Sequence, residues 1–307
     1  MSGFNKSFKD GTGGLRGGAN NATKAFGSSE RKTSTSSTSS VWDDSIPVGY
    51  WDMSDESGAT VSDVSSTGNN LDGTRHGSSG DAGPVWDTTN KVRGDASLNF
   101  IDNYSDRVYM ADNNALDFNV SDTFSLSCWL KRGSGTPPVG YGGLIAKMAQ
   151  TGKTSSGDGV FEGYTLWVES VQKAPAFFIY EAYPNPVLHV RSSNQAIVND
   201  ENWHHLLVTY DGSASQAGTI IYLDGSAIDT DEVTDTLASD DDILNSTELS
   251  IGCVINNANA DPPSSIYHFN GNIDEVAIWS KVLSTDEVAD VYNSGDAADL
   301  TDGIPKT

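Results

Sequence analysis

From Val48 onward the chain alternates short runs of β-branched and aromatic residues with turns rich in Gly, Asn, Asp and Pro, at intervals of about 8–15 residues. In TFSLSCWLK, Phe124, Leu126, Cys128 and Leu130 fall on one side and Ser125, Ser127, Trp129 and Lys131 on the other, the period of a half-buried strand. WHHLLVTYD alternates likewise, with Trp203, His205, Leu207 and Thr209 opposing His204, Leu206, Val208 and Tyr210. Reading the same pattern along the chain predicts thirteen strands, at 47–52, 72–76, 97–101, 106–110, 123–131, 142–148, 162–169, 175–181, 186–191, 203–210, 218–223, 247–254 and 272–279. Short strands separated by frequent turns predict an antiparallel sandwich or jelly roll. One helix is expected where Ser284, Thr285, Asp286 and Glu287 form a capping box ahead of Val288, Val291 and Tyr292; it stops between Asn293 and Gly295.

Residues 1–46 have another texture. The first forty contain seven Gly, nine Ser and five Thr and end in TSTSSTSS. Such a segment buries too little apolar area to offset the entropy of ordering it, so a flexible arm is expected, held only by a partner surface. Phe4, Leu15 and Phe26, spaced eleven residues apart, are its candidate anchors, with an inert leader as the competing reading. Residues 47–295 are expected to form the domain and 296–307 a short polar tail.

Composition divides the chain in the same place. The net charge is −24, yet the first forty residues carry six basic against two acidic side chains, +4, which leaves −28 on the body. An acidic body repels phosphate backbones, and nucleic acid is therefore excluded as its partner. With 36% hydrophobic residues, seven Trp, eleven Tyr and ten Phe, the body has ample material for a core. Cys128 and Cys253 both sit in strand-like runs; two buried thiols are expected, with a single inter-strand bridge as the alternative. No run of about 18 apolar residues and no secretory-signal pattern occurs, so neither membrane insertion nor Sec export is expected.

Several motifs carry a family resemblance. VGYWDMSDESGATVSDVSSTGNNLDG, SLNFIDNYSDRVYM and DTFSLSCWLKR resemble, in order, a first strand with its acidic loop, a strand pair, and a strand that ends in Trp. NWHHLLVTYDG followed by TIIYLDG is the most specific piece, a Trp-His strand and a hairpin strand ending at Asp224-Gly225. FNGNIDEVAIWSKVLSTDEVADVYNSG is similar to the closing strand and its short helix. Together they resemble the laminin-G-like, pentraxin-like domain of the concanavalin A-like lectin and glucanase superfamily, over about four fifths of the chain. The resemblance implies an all-β, two-sheet antiparallel jelly-roll sandwich with one C-terminal helix.

It also implies a structural Ca2+ between the first acidic loop and the last strand, with Asp63, Asn69, Asp72 and Asp274 as ligands; turn capping by the same carboxylates is the equal alternative. Asp240, Asp241 and Asp242 are expected to form a solvated loop, because strand neighbours point to opposite faces. The glucanase branch needs paired carboxylates, and its Glu-x-Asp-x-x-Glu strand is missing here. His204 and His205 lack an accompanying nucleophile motif. A non-enzymatic protein is therefore expected. Glycan contacts, if made, fall to YEAYPNPVLH, with Tyr180, Tyr183 and Asn185, and to INNANADPPSSIYH, with Asn256, Asn257 and Tyr267; ordinary surface turns would look similar.

An acidic lectin-like head behind a basic Gly/Ser/Thr arm resembles the layout of a bacteriophage accessory protein: a capsid decoration, head fibre or tail fibre protein. That layout implies assembly in the host cytoplasm, virion proteins as partners through residues 1–40, and host-surface carbohydrate as a partner of the head. A cell-surface adhesin and a glycan-processing enzyme are the alternatives, and the sequence leaves the oligomeric state, a homo-oligomer included, open.

Overall fold

The computed structural model describes residues 46–306 apart from 78–81, 102–105, 134–141, 154–158, 170–172, 182–186, 195–197, 199 and 258–263. The arm with Phe4, Leu15 and Phe26 lies outside the described residues, as do Tyr183, Asn185 and the side chains of Asn256 and Asn257.

The strands in chain order are β1 (Gly49–Trp51), β2 (Thr60–Val61), β3 (Gly73–His76), β4 (Val85–Asp87), β5 (Ser97–Phe100), β6 (Arg107–Met110), β7 (Phe124–Arg132), β8 (Gly142–Lys153), β9 (Gly159–Val168) and β10 (Pro175–Tyr180). They continue with β11 (Val187–Ser192), β12 (Trp203–Tyr210), β13 (Thr219–Leu223), β14 (Ser226–Ala227), β15 (Thr230–Asp235), β16 (Leu249–Ile251), β17 (Val254–Asn257), β18 (Ser264–Ile266) and β19 (Gly271–Trp279), before helix α1 (Thr285–Tyr292). Each of the thirteen predicted runs overlaps a strand. The strands without a prediction, β2, β4, β14, β15, β17 and β18, are short or polar, as in the TDEVTD of β15.

Two sheets result. An 8-stranded sheet runs β14-β13-β12-β7-β19-β5-β4, with β1 also paired to β19. An 11-stranded sheet runs β15-β11-β10-β9-β8-β16-β6-β3-β2, with β17 and β18 attached beside β8. Within the 8-stranded sheet the first and last strands meet, since Tyr50 on β1 lies opposite Ala277 on β19. The inward rows form the core. Phe124 is its hub, with the rings of Phe118, Tyr164, Tyr210 and Phe177 at 4.9, 5.0, 5.3 and 6.0 Å. The hydroxyls of Tyr164 and Tyr210 donate to the carbonyls of Leu116 and Val120 at 2.9 and 2.7 Å, so these buried rings leave no polar atom unmet. Cys128 and Cys253 are buried thiols, not joined as a disulfide.

The outer face of the 8-stranded sheet is apolar too, and has its own cover. Tyr50, Leu207, Tyr222, Ala277 and Trp279 pack against Leu283, Val288 and Val291 of the helical segment and Ala298, Leu300 and Ile304 beyond it. Residues 296–306, read from composition as a polar tail, therefore contribute three buried apolar side chains to this layer. The helix opens on the expected capping box: Ser284 Oγ accepts from Glu287 N at 3.3 Å and Ser284 N donates to Glu287 Oε2 at 2.7 Å. It ends at Asn293 with φ 48°, the left-handed turn that stops helices. Among the described residues no helix is long and apolar enough to cross a membrane.

Candidate functional site

Residues opposite one another in an antiparallel pair share a face, and so the register sets out what the 11-stranded sheet turns outward. One row runs Trp167, Ala176, Arg191 and Asp231, across β9, β10, β11 and β15. The next runs Ala146, Thr165, Phe178, His189 and Thr234, from β8 to β15. A third contains Met148, Gly163 and Tyr180. Since Tyr164, Leu166, Phe177 and Ile179 fill the core from the intervening positions, β9 and β10 are apolar on both faces.

The outward side chains form a continuous aromatic layer. Phe178 lies 5.0 Å from Trp167, 5.5 Å from Tyr180 and 4.0 Å from His189, the last two stacked. Tyr267, which follows β18, joins from the other side at 5.3 Å from Trp167 and 6.2 Å from Phe161, and Phe161 is 6.4 Å from Tyr180. Phe161, Trp167 and Phe178 are buried; Tyr180 and Tyr267 are half-buried and form the accessible edge. Tyr267 has φ 55°, an unfavourable conformation for a bulky residue, and its carbonyl is pinned by Gly143 N at 2.9 Å. The strain is held by the fold and points the ring at Trp167.

Beside this layer stands a polar triad. Glu169, 1% exposed, accepts from Arg191 Nη1 at 3.2 Å and pairs with His189 Nε2 at 3.1 Å. The imidazole is thus stacked on Phe178 and bonded to Glu169 at once.

Of the residues expected to touch glycan, Tyr180 and Tyr267 are brought together around Phe161. Trp167, Phe178, Glu169, His189 and Arg191 were not anticipated. The alternation in GVFEGYTLWV and PAFFIY was legible, but strands apolar on both sides do not reveal which side is core.

Of the four expected calcium ligands, the three carboxylates accept backbone amides, in two separate places. Asp63 accepts from Tyr50 N, Ser65 N and Leu71 N at 3.1, 3.0 and 3.0 Å, and Asp72 accepts from Asp63 N at 2.9 Å. Asn69 Nδ2 donates to the carbonyl of Val48 at 2.7 Å. Asp274, fully buried, instead accepts from Val92 N at 2.9 Å and Glu275 N at 3.0 Å. Burial pushes its carboxyl up to about 7 despite those amides. The next residue, Glu275, accepts a hydrogen bond from the Tyr50 hydroxyl and faces Arg93 at 3.6 Å, in a bulge with φ 50°. Among the described residues no three acidic, His or Cys side chains converge as a metal cage. Asp241 and Asp242 accept amides of Ala238 and Leu244 at 2.7 and 3.1 Å and shape their loop.

The two adjacent histidines behave oppositely. His205 is fully buried against Trp129 and Ser127 Oγ, and desolvation lowers it to about 4. His204 lies between Asp224 at 2.8 Å and Asp200 at 2.9 Å, and the hydrogen bond it donates to Asp224 leads the causes that raise it to about 8. A raised histidine stabilises the fold fully below its unfolded value of 6.5 and ceases to do so as pH rises through about 8. An NMR titration of His204 is expected to give a midpoint near 8, returning toward 6.5 in Asp224→Asn.

Comparison with known proteins adds the following. Among solved structures, the binding domain of Paraclostridial Mosquitocidal Protein 1 superposes with a TM-score of 0.55 at 13% identity, over 81% of this chain and 52% of that one. The Botulinum Neurotoxin serotype G binding domain gives 0.53 at 13% identity, over 80% and 50%. The binding domain of Botulinum Neurotoxin DC, solved in complex with SialylT, gives 0.52 at 16% identity, over 83% and 52%. The likeness is one of fold, and this chain spans about half the length of those structures. No curated protein matches the sequence. Residues 102–289, more than half of the chain, match the laminin-G-type family model described as Concanavalin A-like lectin/glucanases superfamily. The chain is therefore a lectin-like sandwich that belongs to the concanavalin A-like lectin/glucanases superfamily.

Proposed function

We propose that this sandwich binds carbohydrate on the outer face of the 11-stranded sheet and does not hydrolyse it. The observation that carries this reading is the meeting of Tyr180 and Tyr267, from distant segments, over one floor of Phe161, Trp167 and Phe178. Aromatic faces take the C–H side of a sugar ring, while Arg191, His189 and Glu169 supply polar groups beside them. Likeness of fold to domains named for binding, one of them solved with SialylT, supports the reading. Glu169 supports binding over cleavage: its oxygens are engaged by His189 and Arg191, whereas hydrolysis needs two carboxylates flanking the scissile bond at about 5 Å or 6.5–9.5 Å.

Presenting the full chain to an immobilised saccharide panel tests this. Tyr180→Ala and Tyr267→Ala are each expected to weaken the best interaction roughly tenfold, with an unchanged circular dichroism spectrum. Equal binding by both variants would remove the site.

The setting we propose is a virion, where residues 1–40 dock on other virion proteins and the sandwich faces the host surface. Its support is the contrast between a +4 Gly/Ser/Thr arm and a −28 body. The protein should then co-purify with particles, its arm resisting protease only there; equal cleavage in free and assembled material speaks against docking.

A further inference from the structure

We propose that Arg132 anchors an oxyanion site at one end of the 8-stranded sheet, taking the carboxylate or sulfate group of a ligand. The site is separate from the aromatic face, so its failure and the failure of the reading above are distinct results.

Arg132 is the last residue of β7. It continues the row of Phe124, Leu126, Cys128 and Leu130 that fills the core, and its side chain therefore leaves the strand on the inner side of the sheet. Gly271 on β19 lies opposite Arg132, and Phe100 on β5 lies opposite Gly271. No other residue fits at 271, because a Cβ there would come within 2.1 Å of the Lys131 carbonyl oxygen. β19 thus places no side chain across from the guanidinium. The row before it, Leu130, Ile273 and Leu98, is apolar throughout.

Arg132 is only 5% exposed, and among the described residues no hydrogen bond or ion pair reaches its guanidinium; Nη1 is closed off from water as well. Burial lowers its pKa, and no neighbouring charge acts against that burial. The other buried cations among the described residues have company. Lys147 is paired with Asp112 and Asp117 at 2.6 and 3.0 Å, and Arg107 lies 5.9 Å over the Tyr109 ring with Glu248 in electrostatic reach. The chain has 42 acidic residues to draw on, yet residues 134–141, which follow Arg132 and Gly133, contain none.

A buried charge without a counter-charge destabilises a fold, and a methionine or leucine in its place would not. Such an arginine is accounted for when its partner comes from outside. The planar guanidinium offers parallel N–H donors that match two oxygens of a carboxylate or a sulfate. The acidic body is no bar, since at 0.15 M salt charges beyond about 8 Å are largely screened, whereas a desolvated pair at hydrogen-bond distance is not.

Thermal unfolding of the full chain at constant ionic strength tests the site, with N-acetylneuraminic acid, glucuronic acid and inorganic sulfate as probes and glucose as the neutral control. At least one of the three anions is expected to raise the melting temperature by roughly 3 °C at about ten times its Kd, and glucose is not; the strongest of the three identifies the class of ligand. Arg132→Met, which keeps most of the length without the charge, should abolish that shift. The same substitution should raise the melting temperature of the ligand-free protein, because it removes the unpaired charge. No shift with any anion, or an equal shift in Arg132→Met, would overturn the proposal. A ligand-free Arg132→Met that melts lower than the unsubstituted chain would also overturn it, by revealing a partner for Arg132 within the chain. Each of these results leaves saccharide binding by the aromatic face untouched.

Discussion

Replacing Lys147 with Met is expected to lower the stability of the sandwich by about 3 kcal/mol, measured by urea unfolding of the full chain. The ammonium on β8 is 2% exposed and bonded to Asp112 at 2.6 Å and to the carbonyls of Thr247 and Asn245 at 2.8 and 3.2 Å, with Asp117 at 3.0 Å. Met keeps the stem, so the loss isolates the charge. It leaves two carbonyls and two carboxylates without their donor, and a buried acceptor deprived of its partner costs its full desolvation. Asp112→Asn should cost much less, because Asp112 is 38% exposed and water can replace what is removed. Equal losses from the two substitutions would show that Lys147 serves merely as a surface partner.

Phe124→Ala is expected to cost about 3–5 kcal/mol, a drop in melting temperature of roughly 10 °C. Four rings meet the Phe124 side chain, and they belong to the loop before β7, to both sheets and to the strand beside it. Backbone hydrogen bonds fix those rings through Tyr164 and Tyr210, so they cannot collapse into the space vacated. Phe124→Leu, which refills most of that volume, should restore more than half of the loss. A Leu variant as unstable as the Ala one would point to the ring contacts themselves rather than to the cavity.

What could be read from the residues, and what could not, follows from the kind of information a strand carries. β7 and β12 alternate with one polar side chain for each core residue over most of their length, and period two located both. β4 and β15 are edge strands whose side chains mostly face water, and TDEVTD offers no apolar period to detect. Asp224-Gly225 marked its hairpin because the turn itself demands φ above zero, and both residues have it, at 50° and 76°. Tyr180 and Tyr267 were legible as exposed aromatics in polar loops. Glu169, His189 and Arg191 were not, because they meet only through the pairing of β10 with β11 and the turn after β9, and register is a property of two strands at once. Ala298, Leu300 and Ile304 are too sparse among polar neighbours to show a period, yet the apolar outer face of the 8-stranded sheet recruits them.

The pairing of β1 with β19 has a bearing on biosynthesis. Tyr50 finds its strand partner only when Ala277 exists, and the layer above it is complete only with Ile304. An N-terminal strand whose mate is made more than two hundred residues later gains nothing from vectorial emergence at the ribosome. The 8-stranded sheet and its outer layer can therefore be completed only once residues through Ile304 have been made, and Tyr50 and Trp279 stay uncovered until then.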